Sequence, residues 1–164
     1  MTPDHTEANL ESWGYICEFI EDFPDPSWAD WKRLARRFIQ HGLDRNFNRH
    51  FRAGQSVSTF VFSTLDHHGL EGEACVSVSL QPPDTLKLVY WPATPSIKGD
   101  KRLEYELKFD EAMPTFQRFL NHLWGMTMSE PLPSDMRSPD HPFTAPILAA
   151  NQTKAEQVSG GNGG

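Results

Sequence analysis

Residues 101–109 read Lys101-Arg102-Leu103-Glu104-Tyr105-Glu106-Leu107-Lys108-Phe109, a strict alternation of charged and apolar side chains. Successive side chains of a strand point to opposite faces, so this period of two predicts a strand with Leu103, Tyr105, Leu107 and Phe109 toward a core and the charges toward water. Glu104 and Glu106 share the watery face, but Arg102 and Lys108 flank them, the pattern of a solvated surface rather than of a catalytic carboxylate pair.

The same beat continues upstream. Residues 85–91 place Leu86, Leu88 and Tyr90 on one face, residues 74–81 alternate Val76, Val78 and Leu80 with small polar residues, and residues 56–65 are rich in β-branched and aromatic side chains. Pro82-Pro83-Asp84 and Asp66-His67-His68-Gly69 separate these runs. Links so short join antiparallel neighbours, because a parallel return needs a dozen or more residues. The four runs therefore predict a meander, with the loop over 92–100 long enough to frame a site.

Helical periodicity brackets the sheet. Asp110 opens a stripe of Met113, Phe116, Phe119, Leu120, Leu123 and Trp124, with Pro114 in the first turn and Gly125 as a stop. Before the sheet, Trp28, Trp31, Leu34, Ala35, Phe38 and Ile39 form another stripe, ending near Gly42, with a further helical piece to about Phe51 that Ala53 and Gly54 close. Leu10, Trp13, Ile16, Cys17 and Ile20 mark a first helix over 8–21. The fold class expected is α+β: a four-stranded antiparallel sheet with helices packed on one face, in the order α-α-β-β-β-β-α. Residues 1–130 form one domain in this reading. Residues 131–164, rich in Pro and ending Ser159-Gly-Gly-Asn-Gly-Gly164, form a largely disordered tail.

Composition agrees with one globular unit. The 164 residues include 38% apolar side chains, 11 Phe and 5 Trp, sufficient for a core. Net charge is -7, the wrong sign for a protein that coats nucleic acid or anionic lipid with its whole surface. No run approaches the roughly 18 apolar residues of a membrane span. The polar, acidic start lacks the features of a secretory signal, so a cytoplasmic location is expected. Two cysteines, Cys17 and Cys75, rule out a disulfide framework and read as buried thiols.

Charge is unevenly spread. Residues 1–30 carry eight acids and no Lys or Arg, whereas residues 31–52 carry seven bases against Asp44 alone. Projected at 100° per residue, Lys32, Arg33, Arg36 and Arg37 fall together opposite the Trp28–Trp31 stripe. Such a face suits an acidic protein partner or a nucleic-acid backbone, or is neutralised by the preceding acidic segment.

Catalytic signatures are missing: neither Gly-x-Ser-x-Gly nor the glycine-rich phosphate and dinucleotide patterns occur. His67 and His68, with Asp66, Glu71 and Glu73 nearby, offer metal-ligating types, but adjacent histidines point apart, and a third ligand such as His122 or His50 has no assigned place. No metal or cofactor is expected. The leading expectation is a small acidic protein-recognition module (adaptor, inhibitor or chaperone-like) without catalytic activity. It docks a protein partner through Lys32, Arg33, Arg36 and Arg37 and exposed apolar surface, with a homodimer as one arrangement. The first alternative is a small-ligand binder or enzyme with a pocket lined by Tyr90, Trp91 and Tyr105 and with His67 and His68 at its mouth. The second is nucleic-acid binding through the basic helix.

Overall fold

The computed structural model of the protein describes residues 5–56, 58–64, 72–94 and 99–136. Its elements are α1 (Thr6–Glu21), α2 (Ala29–Asp44), a one-turn α3 (Phe47–His50), β1 (Arg52–Ser56), β2 (Thr59–Ser63), β3 (Cys75–Gln81), β4 (Thr85–Trp91), β5 (Leu103–Lys108) and α4 (Phe109–Thr127). The strands form one antiparallel sheet in the order β1-β2-β3-β4-β5, with each strand beside its predecessor in the chain. The α+β class and the meander are as the alternation implies.

The sheet has five strands rather than four. Ser56 ends β1 and pairs with Thr59 at the start of β2, so the run expected as one strand over 56–65 is divided. Ala53 and Gly54, expected to close a helix, lie inside β1. The reason is that β1 has a single buried apolar side chain, Ala53, and thus no apolar period to read. Its extended form comes from pairing with β2 and from α1, which lies along its outer side.

That contact is polar and specific. Ser12 Oγ accepts the Ala53 N–H at 2.9 Å, Trp13 Nε1 donates to the Phe51 carbonyl at 2.9 Å, and Asn9 Nδ2 donates to the Arg49 carbonyl at 3.0 Å. Arg52 Nε returns a bond to Asn9 Oδ1 at 2.9 Å. A sheet edge presents unpaired main-chain groups, and α1 meets one of them at Ala53 and two more in the chain that leads into β1.

One face of the sheet carries the core. Phe60, Phe62, Val76, Val78, Leu80, Leu86, Leu88, Tyr90 and Leu103 are buried beneath the helices. Phe38 of α2 meets Phe60, Phe62 and Phe116, Trp13 of α1 meets Phe62, and Phe47 of α3 meets Phe116 of α4. Each such buried apolar side chain contributes roughly 1.5–3 kcal/mol relative to exposure. The opposite face carries the alternate residues, among them Thr59 and Ser79, whose hydroxyls lie 3.0 Å apart, and Lys87, Val89, Trp91, Glu104 and Glu106. Among the described residues, all the helices lie on the first face.

Helix ends differ from the sequence expectation at Gly42 and Gly125. Gly42 lies inside α2, facing the Trp13 ring, and the helix runs on to Asp44 before Asn46, at φ 63°, turns the chain into α3. Gly125 lies inside the last turn of α4, and Pro114 sits beyond the first turn. At Gly72, φ is 87° and an added Cβ would come within 2.8 Å of the Thr94 carbonyl oxygen, so only glycine allows the Thr94 N–H to donate to the Gly72 carbonyl at 2.7 Å. Leu10, expected on the core stripe of α1, is 39% exposed.

Packed structure continues past residue 130, where the sequence places the start of a tail. A 3-10 turn over Ser134–Met136 closes on α4: Met136 is fully buried, its carbonyl accepts from Gln117 Nε2 at 2.9 Å, and Trp124 Nε1 donates to the Glu130 carbonyl at 3.0 Å. The remainder of the tail, from residue 137, lies outside the described residues. No helix among the described residues is long and apolar enough to cross a membrane.

Candidate functional site

The basic face of α2 is the first surface the sequence singles out, and the structure pairs all four of its cations. Arg33 donates to Asp30 at 2.9 Å, Arg36 makes a two-pronged contact with Glu21 at 2.7 and 2.5 Å, and Arg37 reaches Asp110 at 3.5 Å while its guanidinium covers the Phe109 ring at 3.8 Å. The hydrogen bond from Arg36 holds the Glu21 carboxyl below its ordinary value, and Glu21 in turn raises Arg36. These three arginines are exposed, as expected.

Lys32 is not. It is only 5% exposed, and its Nζ donates to the Phe23 carbonyl at 3.1 Å and to Asp25 Oδ2 at 3.2 Å. The helical projection puts Lys32 on a solvent face, but the chain between α1 and α2 folds back over that position. Its buried ammonium finds main-chain acceptors there, which no projection of a single helix reveals.

The aromatic pocket of the alternative reading does not assemble. Tyr90 and Trp91 are neighbours on β4 and point to opposite faces: Tyr90 is fully buried under α4, whereas Trp91 is 41% exposed on the uncovered face. Tyr105 shares the covered face with Tyr90 and packs, half-buried, on Phe119, a ring that Tyr90 also meets. His67 and His68 lie outside the described residues.

Instead, Tyr90 enters a polar chain that the sequence did not disclose. Its hydroxyl donates to Asp100 Oδ2 at 2.7 Å, and the other oxygen of Asp100 lies 3.0 Å from His122 Nε2. The His122 ring stands edge-on to Tyr90 at 4.8 Å. Burial, and then the bond to Asp100, push the Tyr90 hydroxyl well above its ordinary pKa, so it remains a donor throughout the neutral range. The effect of this chain is to fasten Asp100, at the end of the 92–100 loop, to β4 and α4, and it takes up His122, the residue weighed as a third metal ligand. Among the described residues no group of three or more His, Cys, Asp or Glu is placed to hold a metal ion.

Both cysteines are free thiols. Burial, then Glu73, pushes Cys75 up to about 11, and burial also raises Cys17, so neither is a ready nucleophile at neutral pH.

A cleft of about 550 Å³ opens between the start of α1, α3 and the end of α4, with His5, Asn9, Arg49, His50, Trp124 and Glu130 on its walls. His50 Nε2 lies 2.8 Å from Asp135 Oδ1 and its ring stands edge-on to Trp124 at 6.1 Å. Asn9 is committed to Arg49 and Arg52, and the Thr64 hydroxyl donates to Thr127 at 2.7 Å. The walls mix both signs of charge, and their hydroxyl and amide groups serve the fold.

The other face of the sheet holds Trp91, which is 41% exposed. Trp91 Nε1 donates to Ser77 Oγ at 3.0 Å, and the Arg102 guanidinium sits 4.6 Å from the centre of the indole. Arg102 also bonds Glu104, which Lys87 reaches at 3.4 Å. Trp91 is thus fixed by contacts on both sides while offering much of its surface to solvent. The alternation over 85–91 sets Trp91 opposite Tyr90, but does not tell which face the helices take. Comparison with family models, with curated proteins and with solved structures finds no match.

Proposed function

We propose that the protein is a non-catalytic recognition module of the cytoplasm, adaptor-, inhibitor- or chaperone-like, that docks a protein partner on the β4–β5 side of its uncovered sheet face. The observation that carries this reading is Trp91, an exposed indole held by Ser77 and Arg102 on a face that no helix among the described residues covers. Tryptophan and arginine dominate the energetics of protein interfaces, and a side chain already fixed loses less entropy on binding. The exposed arginines Arg33 and Arg37 add a second, weaker contact zone, because surface ion pairs of this kind are worth about 0–1 kcal/mol and exchange readily.

The test is quantitative affinity purification of the full chain from its native host, comparing the natural protein with Trp91→Ala and with Arg33→Glu/Arg37→Glu. A stoichiometric partner should be retained by the natural protein, lost by at least about tenfold with Trp91→Ala, and weakened less by the arginine reversals. Undiminished retention by a folded Trp91→Ala protein overturns the assignment of the surface.

A further inference from the structure

The two edges of the sheet are treated differently. At β1 the Ala53 N–H is met by Ser12 of α1, and the Phe51 and Arg49 carbonyls of the chain leading into the strand are met by Trp13 and Asn9. At β5, six residues of regular strand pair with β4 on one side, and among the described residues no strand or helix side chain bonds the other. In an antiparallel strand every second residue turns its N–H and C=O outward, so β5 presents a ladder ready for one more strand.

The side chains along this edge are specific. Glu104, Glu106 and Lys108 are exposed on the uncovered face, in line with Arg102, while Tyr105 and Leu107 stand half-buried on the covered face at the rim of the core. Lys108 reaches Asp84, in the turn before β4, at 3.1 Å. Lys87 lies directly across from Glu106 in the register but turns to Glu104 instead, so among the described residues Glu106 has no ion-pair partner. Centred pairing of β5 with a second copy of itself sets Arg102 against Lys108 and Glu104 against Glu106, like against like, which is unfavourable in directly opposed pairs. The charge order therefore opposes full-length self-pairing and favours a strand of the inverse order.

We infer that the bare β5 edge binds an extended segment of a partner protein by strand addition. The segment carries apolar residues opposite Tyr105 and Leu107, and an acid-base-base-acid order opposite Lys108, Glu106, Glu104 and Arg102. The inference deepens the protein-recognition reading and rests on it for the class of ligand, but its test needs no native partner.

Two capped peptides are titrated against the full chain by fluorescence anisotropy: Glu-Val-Lys-Val-Lys-Val-Glu and its charge inverse Lys-Val-Glu-Val-Glu-Val-Lys. The first should bind at least about fourfold more tightly, from four cross-strand pairs of modest strength. It should also slow amide hydrogen exchange in residues 103–108. Glu106→Lys, an exposed change that leaves the core intact, should narrow that preference by about two- to fivefold. Equal binding of the two peptides, no saturation of either up to about millimolar, or protection away from β5 overturns the inference. So does a concentration-dependent dimer whose β5 amides are protected without peptide, since the occupant is then a second copy. Peptide discrimination that survives in Trp91→Ala while the native partner is still retained would refute the Trp91 surface and keep the edge. Loss of discrimination with a Trp91-dependent partner would do the reverse.

Discussion

A Cβ placed on Gly42 of α2 would lie 2.7 Å from the Cη2 and Cζ3 atoms of Trp13 on α1. The two helices approach closely at this point because one of them has no side chain there. Trp13 in turn holds the Phe51 carbonyl and touches Phe62, so the crossing of α1 and α2 also fixes the route into β1.

Gly42→Ala should therefore destabilise the protein by about 1–3 kcal/mol, the usual cost of overpacking, despite the helix preference of alanine. Gly14, on the exposed side of α1 with nothing within 4 Å of an added Cβ, supplies the control. Gly14→Ala should be stabilising by up to about 1 kcal/mol. Urea midpoints at constant slope measure both, and a neutral Gly42→Ala would refute the close approach.

Tyr90→Phe should cost about 1–3 kcal/mol, because Asp100 loses a buried donor and, among the described residues, keeps His122. The loss should be accompanied by faster amide exchange around Asp100, the end of the loop that this chain of bonds fastens. Unchanged thermal stability would show that the hydroxyl has no structural part.

Lys32→Met keeps the aliphatic stem but removes the ammonium that binds the Phe23 carbonyl and Asp25. Stability should fall by about 1–3 kcal/mol. Arg33→Met, which deletes a fully surface pair, should change it by less than about 1 kcal/mol. Equal effects of the two would contradict the distinction between the buried and the exposed cation.

His41, half-buried between α2 and the Phe47 and Phe109 rings, has its pKa lowered by burial first and by Arg45 second. The unfolded chain then takes up a proton near pH 6.5 before the folded one does. The stability conferred by neutral His41 is complete above that value and is lost as pH falls through the lower folded pKa. His41→Gln should flatten the fall in stability below pH 6.5, and a pH profile unaltered by the substitution would remove His41 from the acid response.

The part of the fold that was legible is the part written as a period. β3, β4 and β5 each put at least three apolar side chains on one face, so their alternation survives as pattern, and α2 and α4 carry equally regular stripes. β1 was hidden because its partners are hydroxyl, amide and indole groups some forty residues away in the chain, at Ser12, Asn9 and Trp13. Lys32 was misplaced for the same reason: a projection of one helix knows nothing of the chain that returns over it. The chain of Tyr90, Asp100 and His122 joins a strand, a loop and a helix, and only the mutual placement of three elements brings it together. For Trp91, the alternation already assigned the face opposite Leu88 and Tyr90. The missing knowledge was that every helix would settle on the other side.

The strand order gives the sheet a direction of assembly. Each ribbon lies next to the one made just before it, so closure proceeds by short steps, the arrangement associated with rapid folding. The first ribbon is sealed by the opening helix, and the last one passes without a linker into the closing helix at Lys108 and Phe109. The end left open is thus the growth front of the sheet, and an arriving strand would repeat at β5 the step by which β5 itself was laid against β4.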